Sequence, residues 1–297
     1  MTPAPALTGP IAYPSSCEVF MLFKIVTDAA CSLPGDLTER FGLTFLPALE
    51  YGEENLPHNN TEGIENSFRN AASQCFDRLL AEGNDLLYVG GAAEPETFPI
   101  AAEALAKAAA RYPARKCFSV DTRAVSLGLG LLVLYASALR MEGKTLAETR
   151  DWLETNRMRA AGWAAVEEAA AAVKAEPCVP PAPQIPNKAA SGPDGTYRLL
   201  RMDHAGRFVP AETVPSRDAA LERLTARLAE TAVLPEGQTV CIVYRDCPAD
   251  AGQLRARITG RTGAARFLTA DAARISRNVP ALSVPGALAV FYMAPQR

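Results

Sequence analysis

The feature that most constrains this chain is a unit that occurs twice: a short apolar strand, an Asp at its end, and a helix start just beyond. The first copy is Phe23-Lys24-Ile25-Val26-Thr27-Asp28-Ala29-Ala30-Cys31-Ser32-Leu33-Pro34. The second is Cys117-Phe118-Ser119-Val120-Asp121-Thr122-Arg123-Ala124-Val125-Ser126-Leu127-Gly128-Leu129-Gly130. In open α/β sheets, ligands sit at the carboxyl ends of strands, facing helix N-termini. The pair of units therefore marks where a site belongs before any chemistry is assigned to it.

Around these units strand and helix signals alternate. Short β-branched or aromatic runs predict strands at 22–27, 43–49, 85–90 and 116–120, and apolar periodicity predicts helices at 35–41, 62–82, 96–112, 125–142 and 146–158. Thr145-Leu146-Ala147-Glu148 after Gly143 is a capping box, so one helix ends and another begins there. Such alternation implies a mostly parallel sheet with helices on both faces. Ala124 to Leu139 is uncharged, but it is shorter than the roughly 20 residues that cross hydrocarbon, and reads as a fully buried helix.

Six prolines between Pro177 and Pro193, after an Ala-rich stretch, predict a linker or long surface loop over 161–196. Beyond it, Tyr197–Met202 and Arg207–Val209 flank Asp203-His204-Ala205-Gly206, a hairpin signal. A helix at 217–231, a strand at 239–244, a helix at 249–259 and strands near 265–269 and 287–293 complete an α+β second domain over 197–297. The first domain is expected over 21–160. Residues 1–20 lack Lys, Arg and a continuous apolar core, which speaks against a secretory signal; with Met21 just after them, they read as a disordered tail or a misplaced start.

Bulk composition narrows the function classes. A chain of 297 residues with 48% hydrophobic and 21% charged content suits an ordinary two-domain globular protein. A net charge of −3 with Arg spread along the chain offers no basic stripe for nucleic acid. Seven cysteines at irregular spacings, without a CxxC pair, read as reduced structural thiols in a cytoplasmic protein rather than a disulfide or metal framework.

At this point the chain resembles the DegV family, bacterial proteins of two α/β domains that bind a fatty acid between them. The resemblance is carried by Lys24-Ile25-Val26-Thr27-Asp28 with Leu33-Pro34, Gly42 through Pro47, and Val120 through Val133 with Glu142-Gly143-Lys144. Later stretches are Arg217 through Leu224 and Pro285-Gly286-Ala287-Leu288-Ala289-Val290-Phe291-Tyr292. It implies a DegV-like α/β fold and an apolar tunnel for an acyl chain, whose carboxylate is pinned by Ser and Thr hydroxyls. It also implies presentation of that carboxylate to a separate ATP-binding fatty acid kinase. No cofactor and no metal are implied.

Several family positions are altered here. Asp-Ser after Thr becomes Asp28-Ala29. The family's Thr-Ser-x-Pro-Ser motif has its nearest text at Ala72-Ser73-Gln74-Cys75-Phe76, which implies a shortened helix, with Thr61 the lesser candidate. The hydroxyl-rich turn after the third strand becomes Gly91-Ala92-Ala93-Glu94-Pro95-Glu96-Thr97. Gly-Gly-Arg has its counterpart at Ala161-Gly162-Trp163, with the strand before it missing, and His-x-Gly-Pro-Gly reads Leu282-Ser283-Val284-Pro285-Gly286.

The residues expected at a ligand are thus Asp28, Ser73, Gly91, Ala92, Thr97, Ser283 and Gly286, with backbone N–H groups near Pro95 as an additional anion hold. Asp28 and Asp121 could equally cap the following helices. Gly128-x-Gly130 lacks the third glycine of a dinucleotide fingerprint, since Val133 stands there, and reads as close helix–sheet packing. Cys31 would need a general base, and the two histidines, His58 and His204, lie in no recognisable catalytic setting. Glu94 and Glu96 flank Pro95 and suit a helix start. The expectation is a non-enzymatic protein that binds a fatty acid or related acyl lipid in an interdomain cleft, with no membrane span. The alternative is a degenerate relative acting as an interaction or scaffold protein.

Overall fold

The computed structural model describes residues 23–28, 30–47, 61–92, 96–168, 195–272 and 279–297. Residues 1–20, most of the proline-rich stretch, His58, Glu94 and Pro95 lie outside the described residues. The alternating first region forms a four-stranded parallel sheet from β1 (Lys24–Thr27), β2 (Thr44–Phe45), β3 (Leu86–Gly90) and β4 (Cys117–Asp121), ordered β2-β1-β3-β4. The strand expected at 43–49 is described as two residues of ladder, followed by Leu46 and Pro47.

Helices cover both faces, as the alternation requires. Side chains alternate along a strand, so Val26, Leu86 and Tyr88 pack against α2 (Thr61–Ala81) and α3 (Thr97–Arg111). Ile25, Leu87 and Val89 face the opposite way, toward α1 (Gly35–Arg40), α4 (Leu127–Met141) and α5 (Leu146–Asn156). The capping box at the start of α5 is formed: the Glu148 N–H donates to Thr145 Oγ1 at 3.2 Å and the Thr145 N–H to Glu148 Oε2 at 2.8 Å.

Every residue of α4 from Leu127 to Arg140 is buried, because this helix is covered on two sides. Beyond it lies a six-stranded sheet of β5 (Ala160–Glu167), β6 (Tyr197–Met202), β7 (Phe208–Val214), β8 (Thr239–Tyr244), β9 (Arg266–Asp271) and β10 (Leu288–Met293), ordered β7-β6-β5-β10-β8-β9. β8 and β9 are parallel and the other neighbours antiparallel. One face of this sheet is closed by α6 (Arg217–Thr231) and α7 (Pro248–Thr262). The other face packs on α4 in a single apolar cluster that includes Leu200, Met202, Phe291 and Met293. Small residues make that approach possible: a Cβ on Gly128 or Gly162 would come within 3.0 or 2.9 Å of the Phe291 ring.

Two expectations need correction here. Residues 161–167, expected to open the linker, belong instead to the central strand β5, paired with β10 on one side and β6 on the other. Ala161-Gly162-Trp163 therefore lies inside β5 and is not a motif following a missing strand. Its run of Ala and Gly conceals a strand because β5 is packed from both sides, where small side chains suit the closeness of α4 and Phe291. Chain from Ala160 onward thus already belongs to the six-stranded sheet.

Arg140, near the end of α4, is 3% exposed and pairs with no carboxylate among the described residues. Its guanidinium donates to the Phe23 carbonyl at 3.1 Å and to the Phe41 carbonyl, and its central carbon lies 5.8 Å from the centre of the Phe23 ring. Burial pushes its pKa down to about 10. Arg140→Ala should lower unfolding stability by about 3 kcal/mol, from two orphaned carbonyls and the lost side-chain volume. Urea denaturation followed by circular dichroism measures it.

Candidate functional site

Parallel strands bring the loops after β1, β3 and β4 to one edge, and hydrogen bonds stitch those loops together. Asp28, only 2% exposed, accepts from the Gly91 N–H at 2.9 Å, the Ala30 N–H at 3.0 Å and the Tyr88 hydroxyl at 3.3 Å. Burial pushes its carboxyl upward against the lowering effect of those donors. Asp28 is thus neither a cap, since Pro34 precedes α1, nor an open ligand contact; it ties the β3 loop to β1.

The β4 loop is held in the same way. Thr122 Oγ1 donates to the Gly90 carbonyl at 2.8 Å and accepts from the Ala124 N–H at 3.2 Å. The Ala92 N–H donates to the Ala124 carbonyl at 3.0 Å. Asp121 accepts from the Arg123 N–H at 3.0 Å and pairs with the Arg123 side chain at 3.6 Å, so it shapes the loop and does not cap α4. A Cβ on Gly91 would stand 2.7 Å from the Ala124 carbonyl oxygen, so only glycine allows this close approach.

The second sheet reaches this edge through its hairpin. Gly206, at φ +83°, lies against the Arg123 carbonyl and Ala92, while His204 is exposed in the same turn. Arg297 donates to the carbonyls of Thr122 at 3.1 Å, Arg157 at 2.7 Å and Asp203 at 3.4 Å, and also to that of Arg123. Its burial pushes its pKa down to about 10. Loop, hairpin and Arg297 form one polar junction above the apolar layer.

Ser126, which immediately precedes α4, is the exception in this satisfied network. Its backbone sits at φ 52° and ψ −137°, and it makes no side-chain cap bond. Among the described residues four buried side-chain nitrogen or oxygen atoms have no partner: Ser126 Oγ and the Nε atoms of Arg140, Arg227 and Arg297. Each of those arginines bonds through its other nitrogens, whereas the serine has only the one polar atom. An unmet buried hydroxyl costs about 1–3 kcal/mol, and a non-glycine residue in this backbone region roughly 1–3 kcal/mol more. The sequence placed Ser126 inside the helix expected over 125–142 and gave it no role, because the lack of a partner is visible only in three dimensions.

Of the residues expected at a ligand, the fold brings Asp28, Gly91 and Ala92 together. Thr97 opens α3, half-buried, with Glu96 at the N-cap and residues 93–95 outside the described residues. Ser73 lies in the middle of α2, about 18 Å along the helix from Thr61. The helix is not shortened, and it is Thr61 that begins it. Gly286, at φ +78°, donates to the Arg245 carbonyl at 2.8 Å and accepts from Arg217 at 2.8 Å, within the second sheet. Ser283 precedes it, half-buried, between buried Leu282 and Val284. Both stand near the start of β10, at the opposite end of that strand from Met293, about 17 Å away.

Cys31 is buried, and burial together with Asp28 pushes its thiol upward, away from the reactive thiolate. Gly128 and Gly130 pack against Phe291 and Leu33, the close packing expected of them. Among the described residues no three His, Cys, Asp or Glu side chains group as a metal site, and no helix is long and apolar enough to cross a membrane.

A two-sheet α/β protein with its loops gathered at the edge of the parallel sheet is the class this fold defines. Residues 22–171, just over half of the sequence, match the family model described as "Uncharacterised protein, DegV family". The chain belongs to the DegV family. A DegV domain-containing protein from Clostridium perfringens is 27% identical over 254 residues, covering 78% of this chain and 84% of that one. A DegV family protein from Corynebacterium glutamicum superposes with a TM-score of 0.68 at 18% identity, over 93% of this chain and 98% of that one. A DegV family protein from Eubacterium eligens, loaded with heptadecanoic acid, gives 0.68 at 13% identity over 92% and 99%. At such identities the structural likenesses establish the shared fold.

Proposed function

We propose that this chain binds a fatty acid or a related acyl lipid between its two sheets, without catalysing a reaction on it. The observation that carries the reading is the apolar cluster shared by both sheets around α4, capped at one edge by the polar junction of the β1, β3 and β4 loops. Each CH₂ moved into such a layer contributes about 0.8 kcal/mol, so the chain supplies most of the affinity. The acid group needs hydrogen-bond donors, because an unpaired buried carboxylate is costly. The heptadecanoic acid held by the Eubacterium eligens relative supports the class of ligand.

Native mass spectrometry after gentle purification tests the proposal. A co-purified acyl mass, or uptake of added palmitate or oleate, is the expected result; protein that stays ligand-free with either acid present would sink it. Thr97→Val should weaken uptake several-fold, because Thr97 opens α3 directly before Phe98, which lies against Gly90 at the end of β3. Affinity equal to that of the wild type would remove Thr97 from the site. Delivery of the acid to an ATP-dependent fatty acid kinase in the cytoplasm extends this reading. It predicts acyl phosphate formation when loaded protein, kinase and ATP are combined.

A further inference from the structure

We infer that the Ser126 hydroxyl is the donor that meets the acid group of the bound acyl chain, an assignment that rests on the acyl-binding reading. The neighbouring polar groups already have partners: Asp28 takes Gly91, Ala30 and Tyr88, Thr122 takes Gly90 and Ala124, and the Ala124 carbonyl takes Ala92. Ser126 Oγ and Arg297 Nε are the buried side-chain atoms without a partner among the described residues of this junction; the Arg297 guanidinium bonds four carbonyls through its other nitrogens, whereas Ser126 has no other side-chain polar atom. It stands at the head of α4, a helix of 15 residues whose positive end favours an anion. The same helix carries Leu127, Leu129 and Leu131 in the apolar cluster shared by both sheets. A ligand whose polar end meets Ser126 therefore has apolar side chains directly beside it.

The chemistry selects a carboxylate. An ionised acid is an acceptor only, which matches a hydroxyl donor at a helix N-terminus. An aliphatic alcohol or amine would bring a further donor to a place where the neighbouring acceptors are already engaged.

The test compares Ser126→Ala and Ser126→Gly with the wild type, using palmitate and methyl palmitate as probes and titration calorimetry as readout. Palmitate should bind both variants at least about tenfold more weakly, since hydrogen bonds to charged groups are among the stronger ones. Methyl palmitate, which carries no charge, should change much less. The melting temperature of the ligand-free protein should hold or rise, because Ser126 loses no protein hydrogen bond. Glycine suits the observed φ of 52°, so Ser126→Gly serves if Ser126→Ala does not fold. Palmitate affinity equal to that of the wild type in the folded variants would overturn the assignment while leaving acyl binding intact. So would equal losses for palmitate and its ester. If the wild type takes up neither probe, the acyl-binding reading itself fails and the assignment falls with it.

Discussion

Asp28→Ala is expected to lower unfolding stability by about 3 kcal/mol or more, since three donors lose their acceptor in a buried setting. Those donors are the Gly91 and Ala30 amides and the Tyr88 hydroxyl. The Gly91 amide belongs to the loop edge where acyl binding is proposed, so on that proposal acyl uptake should fall together with stability. Guanidinium denaturation measures the first effect and palmitate titration the second. A loss below about 1 kcal/mol would mean that the loops find other partners.

Asp28→Asn separates charge from shape. Burial raises the folded-state pKa of Asp28 above its unfolded value of 3.8. Below the unfolded value both states hold the proton, and the contribution of Asp28 to stability is fully present. As pH rises from there through the folded pKa, the unfolded state releases the proton more readily, and stability is lost. Asn cannot titrate, so the stability of the wild type relative to Asp28→Asn should fall as pH rises from 3.5 toward 8. A difference independent of pH across that range would show that the carboxyl is not raised.

Gly206→Ala carries the second large effect. At φ +83° any Cβ is strained, and here it would also stand 2.6 Å from the Arg123 carbonyl oxygen and 2.7 Å from Ala92 Cβ. Gly143, at φ +82° with nothing within 4 Å of its Cβ, provides the control for strain alone. Gly143→Ala should cost about 1 kcal/mol. Gly206→Ala should cost about 2 kcal/mol beyond that, on the scale of overpacked contacts, because the hairpin must withdraw from the first sheet's loops. Hydrogen exchange should then quicken at Ala92, whose amide bonds the Ala124 carbonyl beneath the turn. Equal losses for the two variants would deny that the hairpin braces this edge.

Much of the fold is legible in the residues themselves. The two strand–Asp–helix units become β1 and β4, and the buried helix read from Ala124 to Leu139 becomes α4. The capping box at Thr145 forms as written. Such features are local: apolar runs, periodicity and cap spacing act within a few residues. β5 escaped notice because Ala and Gly carry little strand signal, and its pairing with β6 and β10 is made by residues about 35 and 130 positions away in the chain. The text around Ser73 suggested a motif ahead of a shortened helix; the structure instead has one continuous α2 that starts at Thr61 and contains Ser73.

The site divides along the same line. Motif reading locates Asp28, Gly91 and Ala92 at strand ends, since the carboxyl edge of a parallel sheet follows from topology. What each residue does there depends on neighbours far along the chain: Asp28 is occupied by Gly91 and Tyr88, and Arg297 and Gly206 close on the Thr122–Arg123 loop from the second sheet. By itself the sequence determined the alternating α/β order, the buried α4 and the strand ends that form the carboxyl edge of the parallel sheet, because those follow from patterns within each segment. Only the tertiary structure decided which side chains at that edge are engaged and that the Ser126 hydroxyl, among the described residues, is not, because hydrogen-bond satisfaction is a property of all the chain segments that meet there.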